Sequence, residues 1–414
     1  MNGQISGVSA LKERLTSAYI HVPFCRRRCF YCDFPVSVVG DRASGDQSGT
    51  IVRYVEILLR EIDATPQHNC QPLTTIFFGG GTPSLLSVGQ LEKILAAIDR
   101  RFGISDSAEI SMEMDPGTFD REKLVGVLAA GVNRVSMGVQ AFQDELLKLC
   151  GRSHAVTDIF AAVDLVCQVG VSEFSIDLIS GLPHQTLAHW QESLATAIQL
   201  KPTHISCYDL IVEPHTPFNR YYSVGVDPLP DDETAANMYR CAQEMLTNGG
   251  YQHYEISNYA LPGHQCHHNR TYWENRPYYG FGMGAASYID GKRFTRPRKL
   301  REYYDWVEEF IANDGIIDFP PTPPEEVVLE TLMLGLRLSS GIKLASLEHQ
   351  LDMEMRQRFW HRLQPYQNQG LVQLIDDSGQ IIADADILPT TGRLRLSDPE
   401  GFLFSNSILA SLFE

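Results

Sequence analysis

The chain has 414 residues, 34 of them Lys or Arg against 51 Asp or Glu, for a formal net charge of -17 at pH 7. That length buries a large core and accommodates more than one domain, and 43% hydrophobic with 21% charged residues excludes a disordered chain. The negative balance argues against a general nucleic-acid binder, whose nonspecific affinity needs a positive field.

Nine cysteines are present, and six of them are scattered at positions 70, 150, 167, 207, 241 and 266. Such dispersal is unlike the disulfide framework of a secreted domain. The first eighteen residues carry no apolar core, and no hydrophobic stretch is long enough to span a bilayer. A cytoplasmic protein is expected, with transient contact with a membrane left open.

In chain order, Tyr19 to Val22 read as a buried strand, and the stretch YIHVPFCRRRCFYCDF over 19–34 places Cys25, Cys29 and Cys32 in a C-x3-C-x2-C spacing. Three thiolates on one loop can hold three irons of a [4Fe-4S] cubane and leave the fourth open to a small molecule. The alternative is a structural zinc site completed by His21 or a distant residue, although zinc usually takes four ligands in separated pairs. Arg26, Arg27 and Arg28 would either offset the cluster's charge or form a solvated loop face. The spacing resembles that of radical S-adenosylmethionine (SAM) proteins, which implies that the amino and carboxylate groups of SAM chelate the open iron.

Residues 37–50 read as an exposed loop, and 52–62 as a helix with Tyr54, Leu58 and Leu59 inward. A strand over 74–78 runs into GGGTPS at 79–84, whose glycines permit a tight turn and close approach of backbone donors to a charged ligand. This segment resembles the glycine motif that contacts the amino group of SAM, and it adds Thr82, whose ordinary role would be a cap. After a helix over 91–98, EISMEM at 109–114 alternates as a strand, stopped by Asp115-Pro116-Gly117. Glu113 near its end suits a ligand amine or a cationic partner, or lies on the surface. Next come a helix at 124–130 and a strand at 132–137, whose continuation GVQAF exposes Gln140 at the rim. Arg152 and His154 follow in GRSH, then a helix at 158–169. The strand 173–179 carries Asp177 inside an apolar run, where a buried carboxylate needs a partner. Arg152 or the ribose hydroxyls of SAM would supply one. A helix at 187–200 and a strand at 204–208 complete six strand-helix units, an incomplete (β/α)6 barrel over residues 1–214 with its chemistry at the C-terminal strand ends.

Residues 215–318 read as an extension of the barrel: an extended connection, a helix at 233–248, the strand-like YQHYEIS, and a His- and Tyr-rich stretch from Ser257. That stretch gathers His264, Cys266, His267 and His268 with Tyr272, Trp273, Tyr278 and Tyr279. It offers axial iron ligands and flat surfaces for a porphyrin, or else an ordinary aromatic-rich loop packed beside the barrel. GFGMGA reads as a flexible turn. A helix at 301–311 precedes FPPTPPEE, a rigid linker at 319–326. Residues 325–414 then form a small helical domain with a wing-like hairpin from LVQLI and GRLRLS, fit to be a lid or a partner surface.

Taken together, FFGGGTPS, SMGVQAF, GRSH, IDLISGLPHQT, SNYALPGH, HNRTYW and LMLGLRLSSG, in order after the cysteine loop, resemble the oxygen-independent coproporphyrinogen III oxidase family, and more closely its HemW branch of haem chaperones. The resemblance implies a radical SAM partial barrel with a small C-terminal helical, winged-helix-like domain. It implies a [4Fe-4S] cluster on Cys25, Cys29 and Cys32 with Tyr19 beside it, and SAM surrounded by Gly80, Gly81, Thr82, Glu113, Gln140, Arg152 and Asp177. In the HNxxYW motif, formed by His268, Asn269, Tyr272 and Trp273, it implies His268 as haem ligand, with Cys266 less secure. Three departures stand out. Phe34 replaces a further cysteine of the oxidases, the segment before the cluster is shorter than theirs, and Ala286 stands in GAAS where the chaperone branch commonly has histidine. The implied activity is haem binding and transfer to a haem-dependent acceptor, a respiratory enzyme among the candidates. The alternative is the oxidase reaction, in which a reduced cluster gives one electron to SAM and two propionates are decarboxylated to vinyl groups. The sequence names no electron donor.

Overall fold

The computed structural model describes residues 15–41, 45–68, 71–348, 350–383 and 385–412; Cys70 and the leader before residue 15 lie outside them. Six parallel strands lie side by side in chain order: β1 (Ser17–Val22), β2 (Leu73–Gly80), β3 (Ile104–Glu113), β4 (Arg134–Gln140), β5 (Glu173–Ser180) and β6 (His204–Asp209). Their runs of buried side chains, such as Ala18, Ile20 and Val22 or Val135, Met137 and Val139, are what a parallel sheet covered by helices requires. The covering helices are α1 (Gly49–Ala64), α2 (Val88–Phe102), α3 (Arg121–Ala129), α4 (Asp144–Leu149), α5 (Val156–Val169) and α6 (Leu187–Gln199). Side chains set several starts: Ser48 accepts from the amide of Ile51, Asp120 from that of Lys123, and Ser87 with Gln90 forms a capping box.

The sheet continues beyond these six strands. After α7 (Pro217–Tyr221) and α8 (Asp232–Asn248), β7 (Gln252–Glu255) and β8 (Asn258–Ala260) extend it antiparallel from β6, while β9 (Tyr279–Phe281) pairs parallel with the free side of β1. The order is therefore β9-β1-β2-β3-β4-β5-β6-β8-β7, an open arc rather than a closed barrel. Only the second half of GFGMGA is a turn, because its start belongs to β9.

Between β8 and β9 lies the short helix α9 (His267–Trp273). A hairpin of β10 (Ala286–Ile289) and β11 (Lys292–Thr295) then leads to α10 (Leu300–Ala312). A buried ion pair ties this return to the first helix. Arg296 donates to Glu61, whose other oxygen accepts from Tyr303 Oη at 2.6 Å and from the Gly282 amide at 2.9 Å.

The C-terminal region has its own core. It comprises α11 (Pro324–Gly335), β12 (Ile342–Lys343), α12 (Met353–Asn368), β13 (Val372–Ile375), β14 (Arg393–Leu396) and two short helices, α13 (Glu400–Leu403) and α14 (Ser405–Ser411). Leu336, Phe359, Trp360, Leu374 and Leu394 form that core, with Tyr239 of α8 reaching into it. The region docks over the β7 edge. The amide of Ile256 donates to Arg337 O at 2.9 Å, that of Ser339 to Tyr254 O at 3.0 Å, His253 meets Asp398 at 2.8 Å, and Arg240 grips Glu400 bidentately. A strand edge that would otherwise recruit other chains is thereby covered. Among the described residues, no helix is long and apolar enough to cross a membrane.

Candidate cluster and cofactor site

The cysteine loop leaves β1 at its C-terminal end. Phe24 and Cys25 pair with Ser37 and Val38, which closes the loop on itself, and the amide of Phe30 donates to Cys150 O at 2.9 Å, which pins its far side to the end of α4. The GGGT segment runs alongside: the amides of Gly81 and Thr82 donate to Val22 O and Phe24 O at 2.8 and 2.7 Å. A Cβ on Gly81 would lie 2.7 Å from Phe24 O and 3.0 Å from Cys25 Sγ, and one on Gly80, at φ +117°, 2.5 Å from the His21 ring. These glycines therefore let the cysteine loop press against β2.

All three thiols line one cavity of about 380 Å³ together with Gly80, Gly81, Thr82, Glu113, Gln140, Arg152 and Asp177. Among the described residues, no three cysteine, histidine or carboxylate groups close on a single ion. A cubane spreads its thiolates over separate irons, so thiols arrayed around one cavity fit it. Burial pushes the Cys25 thiol up to about 12 and raises Cys32 as well, and a bound metal's charge would favour their thiolates. His21 does not complete a zinc site in this arrangement. Its Nδ1 meets Tyr19 Oη at 2.9 Å and its Nε2 meets Pro35 O at 3.0 Å. Tyr19 thus buttresses the loop from beneath rather than lining the cavity.

The remaining groups come from the C-terminal ends of β3, β4 and β5. A bulge between Gly138 and Gln140, with Gln140 at φ +69°, turns the Gln140 side chain into the cavity. Glu113 accepts from the Gly80 amide at 3.0 Å, and burial, then the neighbouring Asp177 charge, push its carboxyl up to about 8. Asp177 accepts from Ser136 Oγ at 2.8 Å and Ser175 Oγ at 3.1 Å, and burial raises it too. Arg152 is not its partner. The guanidinium, delivered by the turn after α4, reaches Asp115 at 2.7 Å and Gly138 O at 2.8 Å, and lies 3.4 Å from Cys29 Sγ. Asp115 is the site residue that sequence reasoning passed over, since Asp-Pro-Gly reads as a strand stop. Its position two residues after Glu113, at the same strand end, was the available signal. Neither Glu113 nor Asp177 forms an ion pair among the described residues, so the cavity holds two half-buried carboxylates suited to a cationic ligand.

The histidine-rich stretch lies at the other end of the barrel. Ser17, the first residue of β1, meets Thr271 at 3.1 Å, and Glu109 of β3 accepts from the amides of His267 and His268 at the start of α9. His268 is wholly buried, its Nδ1 3.0 Å from Thr75 Oγ1, its Nε2 2.8 Å from Tyr272 Oη, and its ring stacked on Phe77. Burial lowers its pKa to about 3. Cys266 is buried against Glu109, and His264 meets Glu173 at 2.7 Å. The HNxxYW segment thus plugs the barrel beneath its strands, and His268 offers no free nitrogen in this arrangement.

Comparison with known proteins agrees with this geometry. The radical SAM superfamily pattern matches residues 19–197 and the HemN C-terminal domain pattern residues 322–380. The chain is 49% identical over 399 residues to the heme chaperone HemW of Synechocystis, covering 96% of each chain. It is 40% identical over 330 residues to the heme chaperone HemW of Bacillus subtilis, covering 79% of this chain and 85% of that one. The solved structure of coproporphyrinogen III oxidase (HemN) from Escherichia coli aligns with a TM-score of 0.78 over 97% of this chain and 90% of that one; at 23% identity the likeness is one of fold. With a partial radical SAM barrel, a C-terminal helical region and relatives matched over nearly their whole length, the chain belongs to the HemW family of radical SAM proteins.

Proposed function

We propose that this protein binds haem and passes it to acceptor haemoproteins, and that Cys25, Cys29 and Cys32 hold a [4Fe-4S] cluster whose open iron takes SAM. The observation that carries the cofactor half is the convergence of three thiols, two unpaired carboxylates and a bulge-borne amide on one cavity. When bound, the cluster supplies one-electron chemistry toward SAM. Glu113 and the Gly80–Thr82 backbone would hold the amino end of SAM, Asp177 its ribose hydroxyls, and Gln140 the parts between. Arg152, locked by Asp115, would set the charge beside Cys29. The haem half rests on membership of the HemW family, and a respiratory enzyme is among the acceptors it allows.

The oxidase reaction is the second reading, favoured by the fold likeness to HemN. An anaerobic assay with reconstituted cluster, SAM, reductant and coproporphyrinogen III separates the two. Haem binding without protoporphyrinogen IX is the expected result. Stoichiometric decarboxylation would establish the oxidase.

A further inference from the structure

Six cysteines are scattered outside the cluster motif, and the fold returns one of them to it. Cys150 caps the end of α4, wholly buried in the core with Leu146 and Leu147. The amide of Phe30 donates to Cys150 O at 2.9 Å. Across one such bond, standard backbone dimensions hold the Cα atoms of residues 29 and 150 within about 7 Å, and disulfides span about 4.4–6.8 Å between Cα atoms. The two segments are pressed together there: a Cβ on Gly151, at φ +74°, would lie 3.1 Å from the Phe30 ring.

The three motif sulfurs differ in what they face. Cys25 meets the Thr82 hydroxyl and Cys32 the Phe34 amide, whereas Arg152 Nη1 donates to Cys29 Sγ at 3.4 Å. Burial pushes the Cys150 thiol up to about 12, and the charge of Cys29 adds to the rise, which sets these two sulfurs within electrostatic reach of each other. Cys29 is half-buried and lines both the cavity and a small crevice beside Thr118 and Ser153, so a small oxidant meets it before Cys150. A partly exposed sulfur beside a cation is the setting in which cysteines are oxidised.

We infer that Cys29 and Cys150 form a reversible oxidation site: when Cys29 carries no iron, a peroxide oxidises it and Cys150 resolves the product as a disulfide. In the first step the Cys29 sulfur attacks one oxygen of hydrogen peroxide, the O–O bond breaks, and a sulfenic acid and one water form. In the second the Cys150 sulfur displaces the sulfenic hydroxyl, an S–S bond forms, and the Cys150 proton leaves with that hydroxyl as a second water. The two thiols lose two electrons, which the peroxide takes up. The bridge stops Cys29 short of the sulfinic acid, which thiols do not reverse, and a dithiol reductant returns both cysteines. Protection of a cluster ligand is the consequence, and that consequence alone rests on the cluster reading above.

The test uses the full chain, stripped of iron with a chelator under argon and then exposed to hydrogen peroxide. Remaining thiols are alkylated, and linked peptides are mapped by mass spectrometry. Peptides joined through Cys29 and Cys150, and separated by dithiothreitol, are the expected result, and the same link should persist in Cys32→Ala. In Cys150→Ala, Cys29 should instead be found as sulfinic acid. Iron taken up by that variant after oxidation and dithiothreitol should fall about threefold or more below the wild type treated alike, while the unoxidised variant should take up iron as the wild type does. A Cys29–Cys32 bridge in the wild type, no link to Cys150, or full recovery of iron by oxidised Cys150→Ala would overturn the inference. The wild-type map decides the bridge even where Cys150→Ala fails to fold. A wild type that takes up no iron before oxidation would overturn the cluster reading, and the map would still decide the bridge.

Discussion

Glu113 carries the cavity's electrostatic strain. Its carboxyl is raised from an ordinary 4.5 to about 8, chiefly by burial and then by Asp177. A group whose folded pKa is raised adds stability that is complete below the unfolded pKa and is lost as pH rises through the folded one. The ligand-free protein should therefore be less stable at pH 8 than at pH 5 on account of this residue. Glu113→Gln should flatten that slope, raise the urea midpoint at pH 8 and weaken SAM binding about tenfold or more, the scale of a lost charge-assisted hydrogen bond. Midpoints at the two pH values with SAM titrations check it; an unchanged slope would refute the assignment. Glu113, Gln140 and Asp177 were legible in the sequence because each ends or interrupts an apolar strand run. The Arg152–Asp115 pair was not, since it joins a turn after α4 to a turn after β3 across 37 residues. No periodicity records such a contact.

At the scale of elements, the arc stays together because its return segment is bolted to its first helix. Glu61 lies beneath Arg296, Tyr303 and the Gly282 amide, all buried. Glu61→Ala would strand the Arg296 charge in the core, and breaking one side of a buried pair costs about 3–5 kcal/mol. Guanidinium unfolding of the variant should show that loss, and a change below about 1 kcal/mol would mean that water reaches Arg296. Glu61 read only as a helix residue, because its partners lie more than 200 residues away. The same blindness hid β9, which pairs with β1 across the whole barrel. By contrast, the six parallel strands were legible in place and order, since burial leaves most of them apolar runs; β3 starts at Ile104, ahead of the expected 109, because its first half, ISDSAE, is polar and partly exposed. The α9 segment could be read as exposed ligands or as packed core. Its bonds to Ser17, Thr75 and Glu109 place it beneath the sheet, a relation that a histidine cluster in the sequence does not encode.

Across the whole molecule, the two ends of the barrel divide the work. The N-terminal strand ends are sealed by α9, and the C-terminal ends gather thiols and carboxylates around one cavity. The C-terminal region grips β7 through Asp398 and α8 through Glu400, which makes it a cover of that edge. As proposed above, Cys25, Cys29 and Cys32 leave one iron of a cubane open to SAM in the cavity beside Glu113. The direct measurement is the electron paramagnetic resonance spectrum of the anaerobically reconstituted, reduced protein before and after SAM is added. A four-iron signal whose g values shift with SAM is predicted, and it should be missing in Cys29→Ala. A wild-type spectrum indifferent to SAM, or a full four-iron signal in Cys29→Ala, would contradict the account.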